Sequence, residues 1–266
     1  MSNQIKSDIK AFNMFGNLYF VGSSRVCVHI IKTEKGLVMI DTGYPDMYEQ
    51  ILDSMAEFGF KPEDICAIFH SHGHIDHFGA TERLKALSGA KTYVGRIDND
   101  ILNGTYDLSW AKELGLERMP FFNCDILVDD GDVFVFGKTK IKALHTPGHT
   151  QGTMSYFVNV EDGKNSIIAG MHGGVGMNSL SRKFLTDYNL PLELRDEFRK
   201  GLNRLANEHV DLHMGNHAGH NDTQGKCERV LAGESIVNPD DWSEFLVRTE
   251  KRLDDLLEKE QQELNQ

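Results

Sequence analysis

Histidines and one aspartate crowd residues 70–77, which read HSHGHIDH. Four imidazoles and a carboxylate follow directly on the apolar run 65–69, ICAIF. Such side chains are costly to bury unless something pairs with them, and a divalent metal ion is the usual partner. The alternative is a polar loop that happens to be rich in histidine. We predict a metal site at this stretch.

The spacing within this motif divides the ligands between two ions. His72 and His74 stand two residues apart at the end of a predicted strand, where extended geometry points both the same way. Asp76 and His77 follow where the chain turns into a helix, so they point in other directions. This arrangement suits two metals better than one. Zinc takes imidazole and carboxylate ligands, and a catalytic zinc keeps one position for water.

Two later loops contain further histidines that could complete the site. Residues 146–150, TPGHT, follow a predicted strand at 141–144 and contain His149. Residues 214–220, MGNHAGH, follow a predicted strand at 210–213. All three loops leave the carboxyl ends of strands, where sites in α/β architectures gather.

The elements that position these loops alternate in two blocks. Apolar runs and turn residues predict strand-rich regions, each followed by helices that could cover a sheet. The order favours two βα halves whose sheets pack face to face, a four-layer αβ/βα sandwich. Aromatic residues in segment 96–125 could form a lid over the site or a second small core, and we favour the core. The predicted strands are 18–21, 26–31, 37–40, 65–69, 92–94, 126–128, 133–136, 141–144, 153–158, 166–169 and 210–213; the predicted helices are 46–58, 76–87, 191–207, 223–232 and about 239–262.

Composition excludes some classes of function. The formal net charge is −12 and no run is rich in Lys or Arg, so nucleic acid is not an expected partner. No stretch of about 18 apolar residues exists, so we expect no membrane span. Without repeats or linkers, residues 1–266 are predicted to form one domain with a C-terminal surface helix. The oligomeric state is not predicted.

The compartment is predicted from the cysteines and the first residues. Four cysteines lie far apart, which favours free thiols in a reducing compartment. Charges at Lys6, Asp8 and Lys10 interrupt the first residues, so no signal peptide is visible and we expect a cytoplasmic protein. The alternative is that a leader has been trimmed.

The ordered set of HxHxDH, TPGHT and a late histidine after a short strand resembles the metal signature of the metallo-β-lactamase superfamily. The resemblance covers nearly the whole chain, from NLYFVGS and LVMIDTG onward, and is closest to the third subclass of metallo-β-lactamases. Asp41 matches the family's buried aspartate, which would orient a ligand imidazole or the loop backbone. The resemblance implies two zinc ions, held by His72, His74 and His149 and by Asp76, His77 and His217.

One departure from the family pattern bears on the substrate. Many relatives carry a metal-bridging aspartate after the strand that is here 167–170, but this chain has Met171 followed by His172. Among the subfamilies of this family, the pattern of the third subclass is the one that tolerates the missing bridging aspartate. The site then carries one negative charge fewer than a bridged site, so it should hold an anionic group more firmly. A small substrate bearing a carboxylate, such as a β-lactam, is favoured over a neutral ester.

The leading expectation is hydrolysis of a β-lactam amide by a metal-bound hydroxide, with Asp76 accepting or relaying the proton. The absent leader weighs against an exported resistance enzyme. One alternative is therefore a cytoplasmic zinc hydrolase of a lactone, thioester or small amide. Another is a non-catalytic metal-binding or sensing protein. The oxyanion candidates are Asn221, Asp222 and Thr223.

The remaining histidines and some aromatic residues have two interpretations each. His172 and His220 could each replace a metal ligand. His70 and His145 are expected to be packed or to support ligands. Tyr44, Tyr106 and Trp110 could line a substrate pocket or belong to the core. No metal role is expected for His29, His209 and His213.

Overall fold

A computed structural model describes residues 9–117 and 119–265. The predicted absence of a signal peptide falls mainly on residues 1–8, outside the described residues. The strands are β1 (Phe12–Phe15), β2 (Leu18–Phe20), β3 (His29–Thr33), β4 (Gly36–Ile40), β5 (Ile65–Phe69), β6 (Lys91–Gly95), β7 (Ile126–Val128), β8 (Val133–Phe136), β9 (Thr139–His145), β10 (Met154–Glu161), β11 (Ser166–Met171) and β12 (Leu212–His213). The helices are α1 (Tyr48–Glu57), α2 (Ile75–Phe78), α3 (Thr81–Ser88), α4 (Asn99–Leu102), α5 (Arg182–Asp187), α6 (Leu194–Leu205), α7 (Thr223–Leu231) and α8 (Asp240–Leu264). Short 3-10 helices span Pro45–Met47, Pro62–Asp64, Asn178–Leu180 and Ala218–His220.

Strands β1 to β7 form the first sheet in chain order. Its first four strands pair antiparallel, while β4, β5, β6 and β7 pair parallel. Parallel pairing requires a crossover, and α1 and α3 supply it between β4, β5 and β6. The chain segments after β4, β5 and β6 therefore leave the same edge of the sheet. Asp41 and the HSHGHIDH loop lie at that edge.

The second sheet has the order β12-β11-β10-β9-β8. Strands β9 and β11 both run antiparallel to β10, and β12 runs parallel to β11. The carboxyl ends of β9, β11 and β12 consequently meet at one edge. The two sheets are tied together near these edges, because Met154 N–H donates to Ser71 O at 2.8 Å and Tyr156 OH donates to His70 O at 2.8 Å.

Apolar side chains from both sheets form one buried cluster between them, with Phe20, Phe69 and Tyr156 among its largest members. A second cluster packs α1 and α3 on the outer face of the first sheet. A third packs α5, α6 and α8 on the outer face of the second. Burial of each large apolar side chain contributes about 2 kcal/mol. The predicted αβ/βα sandwich is confirmed.

Most predicted elements are present, with one clear error. The single helix expected over 76–87 is divided into α2 and α3. The division lies at Gly79, where a Cβ atom would fall 2.4 Å from Pro45 and where the backbone N–H donates to Gly43 O at 2.9 Å. Close packing against residues 43–45 therefore interrupts the helix. Strand β1 and helices α4 and α5 were not predicted.

Segment 96–125 contributes to a fourth apolar cluster that includes Phe78, Ile101 and Leu102. A second small core is therefore present, but it agrees with the expectation only in part: of the segment's aromatic residues Phe122 packs against it, whereas Tyr106 and Phe121 are exposed. The four cysteines are free, and burial raises the pKa of Cys27 and Cys124 to about 12. In the described part of the chain, no helix combines the length and the apolar character needed to cross a membrane.

Candidate metal centre

Six of the predicted site residues converge where the edges of the two sheets meet. They form two groups of three, and within each group the candidate ligand atoms all lie within 4.8 Å of one another. The first triad is His72, His74 and His149; the second triad is Asp76, His77 and His217. The structure thus brings together every residue that the sequence assigned to metal binding, in the predicted division.

The first triad is oriented by main-chain carbonyls. His72 Nδ1 lies 2.8 Å from Gly173 O, and His149 Nδ1 lies 2.9 Å from Gly176 O. Since a carbonyl only accepts, both imidazoles donate from Nδ1 and carry a lone pair on Nε2. His72 Nε2 is buried and has no hydrogen-bond partner among the described residues. A metal ion is the partner that would satisfy such a nitrogen.

The second triad shows the same orientation of its imidazoles. His77 Nδ1 donates to Asp41 Oδ2 at 2.7 Å, and His217 Nδ1 donates to Arg25 O at 2.8 Å. The two Nε2 atoms then face each other at 3.2 Å, with Asp76 Oδ2 at 3.6 Å from each. Two lone pairs at this separation require a proton or a metal ion between them. The donor set fits a divalent cation.

Charge differs between the triads. Burial lowers the pKa of His72 and His74 well below the usual range, and lowers that of His149 to about 4. Burial also lowers the pKa of His77, but the carboxylates of Asp76 and Asp41 outweigh it and the net shift is upward. The first triad therefore presents neutral imidazoles, which is the form that binds metal.

Asp41 lies behind the second triad, as the sequence predicted. It is fully buried and adopts a φ of +59°, a conformation that aspartate tolerates better than most residues. Its carboxylate accepts from Ser71 N–H at 2.7 Å and Ser71 OH at 2.7 Å as well as from His77. It thus orients both an imidazole and the backbone of the ligand loop.

Comparison with known families agrees with this geometry. The family model of the metallo-beta-lactamase superfamily matches residues 24–162, slightly more than half of the chain. The chain belongs to the metallo-beta-lactamase superfamily. The matched span carries Asp41, all of the HSHGHIDH stretch and His149. The superfamily consists of metal-dependent hydrolases.

Solved structures of this superfamily share the fold over almost the whole chain. BJP-1, a subclass B3 metallo-beta-lactamase of Bradyrhizobium japonicum, has a TM-score of 0.87 and 27% sequence identity, covering 98% of each chain. FEZ-1, a metallo-beta-lactamase from Legionella gormanii, has a TM-score of 0.87 and 24% identity, covering 97% of this chain and 98% of its own. The FEZ-1 likeness concerns the fold alone.

Sequence relatives include proteins that are named for other activities. An uncharacterized protein of Aquifex aeolicus is 29% identical over 224 residues, which cover 82% of this chain and 93% of that protein. A hydroxyacylglutathione hydrolase of Maricaulis maris is 32% identical over 122 residues, covering 46% of this chain and 38% of the relative. An N-acyl homoserine lactonase of Bacillus cereus is 28% identical over 159 residues, covering 51% and 59%. The chain thus spans less than two thirds of the last two proteins.

Met171 follows residues 167–170, after which, in the family pattern described above, many relatives carry a metal-bridging aspartate. It is the last residue of β11, is 1% exposed and belongs to the cluster between the sheets. Its thioether brings no charge. In the described residues, the carboxylate of the two triads is Asp76 alone.

Several other histidines have their own partners. Both ring nitrogens of His70 are hydrogen bonded, Nδ1 to Tyr93 O and Nε2 to Thr81 Oγ1, each at 2.8 Å. His145 Nε2 donates to Gln151 O at 2.8 Å. Both residues are therefore structural, as expected. His29, His209 and His213 also lie outside the triads.

His172 and His220 could each have been a ligand, but neither belongs to a triad. His172 Nδ1 accepts from Gly174 N–H at 3.2 Å, and its ring packs on Phe198. His220 Nδ1 lies 3.0 Å from the side-chain oxygen of Asn216. Burial lowers the pKa of His172 to about 3 and that of His220 to about 2, so both are neutral near pH 7.

The three oxyanion candidates have partners within their own loop. Asn221 donates to His213 O at 3.2 Å and accepts from Thr223 OH at 2.6 Å. Asp222 accepts from Gly225 N–H at 3.2 Å and caps α7. These polar atoms thus help to cap the helix and close the loop, and a role of the three residues in stabilising an oxyanion stays a prediction.

Asp98 was missed by the sequence analysis. It is fully buried, and its carboxylate accepts from Gly73 N–H at 2.7 Å, Gly152 N–H at 2.7 Å and Thr150 OH at 2.6 Å. It therefore joins the loop of His72 and His74 to the loop of His149. Nothing in the local sequence GRIDND separates Asp98 from an ordinary surface aspartate.

A narrow, mainly apolar pocket of about 20 Å³, room for about one water molecule, opens beside the first triad. His74 and His149 line it, and no lysine or arginine is among the described residues that do so. Tyr106 is a lining residue, and the ring of Trp110 lies 5.3 Å from that of His74. Tyr44 instead lies under the guanidinium of Arg25 at 4.4 Å. The apolar walls include Ile97, Ile101, Leu108, Phe184, Leu190 and Leu194.

Proposed function

We propose that this protein is a dinuclear zinc hydrolase that opens a cyclic amide, with β-lactams as the leading substrates. The observation that carries the proposal is the pair of adjacent triads, in which four imidazoles donate Nδ1–H away from the site and leave Nε2 for metal. Imidazole and carboxylate donors are the set that zinc prefers. Zinc bound there would supply Lewis acidity toward water and toward a carbonyl oxygen.

The residues of the chain divide the remaining tasks. Asp41 and the carbonyls of Gly173 and Gly176 keep the imidazoles in one tautomer. Asp76 is 8% exposed and has an oxygen 3.6 Å from both His77 and His217. We propose that it binds the second metal and accepts the proton of the attacking water. The apolar side chains beside the first triad would contact the substituent of the substrate.

Two observations support a β-lactam. BJP-1, which shares the fold along its whole length, is a subclass B3 metallo-beta-lactamase. In addition, Met171 leaves the site without a second carboxylate ligand, which favours an anionic substrate. The substrate carboxylate would then be attracted by the metals, since the pocket beside the first triad has no cationic side chain among its described residues.

A second candidate is the hydrolysis of a lactone or thioester. The apolar side chains beside the first triad suit contact with a neutral acyl group, and the relatives named hydroxyacylglutathione hydrolase and N-acyl homoserine lactonase align with parts of the chain. A cytoplasmic location and a small-molecule substrate are proposed for either activity. A non-catalytic metal-binding role is a third candidate, which the absence of all turnover would favour.

Metal analysis and a substrate panel test the proposal. Zinc-loaded protein should contain two zinc ions per chain and turn over nitrocefin, a chromogenic cephalosporin. An acyl homoserine lactone and an acyl thioester form the comparison arms, and protein stripped with a chelator is the control. Rapid lactone or thioester hydrolysis without nitrocefin turnover would select the second candidate. Failure to bind zinc would refute both.

A further inference from the structure

A glycine-rich loop follows β11, and two of its carbonyl oxygens contact the imidazoles of the first triad. Residues 172–176 read HGGVG, and Gly173 to Gly176 lie against both loops of the first triad. We propose that Gly173–Gly176 is the positioning element of the first metal site: its carbonyls orient His72 and His149, and its missing side chains leave the space that the His149 ring needs. This inference rests on the proposed metal binding.

The carbonyls contribute direction. Gly173 O accepts from His72, and Gly176 O accepts from His149, so one four-residue loop determines the tautomer of two of the three ligands. His149 Nδ1 also lies 2.8 Å from Ser179 Oγ, just beyond the loop. No hydrogen-bond partner of this kind is present for His74 among the described residues. The loop therefore controls most of the first triad.

The glycines contribute space. A Cβ at Gly174 would lie 2.5 Å from His149 Cδ2, and a Cβ at Gly176 would lie 2.7 Å from His149 Cε1. Carbon atoms do not approach so closely, so the ring would have to move. Neither glycine has a positive φ. These positions are thus glycine because of the imidazole beside them and not because of their backbone conformation.

The loop itself is held by the second sheet. A Cβ at Gly173 would lie 2.0 Å from Met154 O, and Gly173 N–H donates to Ser155 Oγ at 3.2 Å. Gly173 O also accepts from Asn216 Nδ2 at 3.0 Å. Because Asn216 precedes His217, this single carbonyl joins the loop of the first triad to the loop that carries His217. His220 supports the link through its contact with Asn216.

The imidazoles of the second triad depend on other groups. His77 is oriented by Asp41, and His217 by the carbonyl of Arg25. In the part of the chain that the structure describes, neither ring forms a hydrogen bond with Gly173–Gly176. A disturbance confined to Gly176 should therefore weaken the first metal and leave the second.

The test compares Gly176→Ala with wild type and with Gly201→Ala. Gly201 lies in α6, where the nearest heavy atom to an added Cβ is Thr146 Cβ at 3.6 Å, an ordinary contact. Zinc affinities are measured by competition with a chromophoric chelator, and cobalt(II) substitution reports each coordination environment by its visible spectrum. Gly176→Ala should bind the first metal about 10- to 100-fold more weakly. The second affinity and the circular dichroism spectrum should not change.

A milder variant guards against misfolding. Ser179→Ala removes only the hydroxyl beside His149 and should weaken the first metal by about 2- to 10-fold. Two unchanged zinc affinities in both variants, or equal loss of both metals in a folded variant, would overturn the inference. If wild-type protein binds no zinc at all, the proposed function fails instead, so the two failures are distinguishable.

Discussion

The two metal triads differ in the groups that surround them. Behind the first triad stand neutral carbonyls, those of Gly173 and Gly176, and its own ligands are three imidazoles. The second triad includes the carboxylate of Asp76 and has the buried carboxylate of Asp41 in contact with His77. The first triad thus carries no formal negative charge, whereas the second lies within a pair of acids.

This difference in charge predicts that the two metal sites have different tasks. A metal held by neutral ligands keeps more of its positive charge, so the first site should polarise a carbonyl more strongly. The carboxylates of the second site offset charge and should make it the better holder of a cation in the ground state. Variants that remove one side chain from either triad can test this comparison.

The largest effect is expected for His72→Ala. This variant loses a buried ligand of the first triad, and with it the metal that would polarise the substrate. Hydrolytic activity should fall by at least ~1,000-fold, because several kcal/mol of charge stabilisation are removed. Zinc content should fall to about one ion per chain, as measured by atomic emission.

A matched control is available in His145→Ala. His145 is also a histidine at the end of a strand, but its ring donates to Gln151 O and lies outside both triads. Its removal should leave zinc content unchanged. Equal loss of activity in the two variants would contradict a special role for His72.

His77→Ala should produce a smaller loss that is confined to the second site. The variant removes the imidazole between Asp41 and His217, so the second metal should be lost selectively. Because the first metal stays, activity should fall by about 100-fold, less than in His72→Ala. Zinc analysis and steady-state kinetics check this. Two ions per chain in His77→Ala would show that the ligand assignment is wrong.

The sequence predicted the grouping of these six side chains, because their residue types carry the chemistry. HSHGHIDH, TPGHT and the late histidine are recognisable because metal ligands must be particular residue types at particular spacings. Strand β5 agrees with its predicted bounds because an apolar, β-branched run is followed at once by polar residues. The assignment of residues 1–266 to one domain stays a prediction, and the oligomeric state is not predicted.

Support for the ligands could not be predicted in the same way. Gly173 and Gly176 orient His72 and His149 through main-chain oxygens, which every residue type possesses. Asp98 joins Gly73 to Thr150 and Gly152, and these contacts exist only after the two sheets have packed. Gly79 interrupts a helix because of Pro45, which is distant in the sequence. Such tertiary effects leave no local pattern.

The two buried aspartates offer a more selective test. Asp41→Asn keeps the shape of the side chain and suits a φ of +59°, which asparagine also tolerates. It removes the charge behind His77 and replaces one acceptor oxygen by a donor. The second metal should bind about 10- to 100-fold more weakly, while the first keeps its affinity. Chelator competition measures both affinities.

Asp98→Asn is the matching variant beside the first triad, where Asp98 joins the two ligand loops. Asp98 accepts from two backbone N–H groups and a hydroxyl, and among the described residues it forms no hydrogen bond with an imidazole. Its replacement should lower the free energy of unfolding by roughly 1–3 kcal/mol, since buried donors lose an acceptor. Metal affinities should change less than in Asp41→Asn. The reverse order would refute the contrast between the two aspartates.

The smallest effect concerns protons, and it can be measured in metal-free protein. Burial lowers the pKa of His149 to about 4, whereas Asp76 and Asp41 raise the pKa of His77 above its usual value despite burial. The folded state thus disfavours the proton on His149, so this residue's contribution to stability is lost as pH falls from about 6.5 toward 4. For His77 the sign is opposite: its stabilising contribution is present below about pH 6.5 and is lost as pH rises through its folded pKa.

Nitrogen-detected NMR of the imidazoles, assigned with His149→Ala and His77→Ala, should show two separate titrations, with His149 titrating at the lower pH and His77 at the higher. If both rings instead titrate together near pH 6.5, the charge difference between the triads is too small to direct their chemistry.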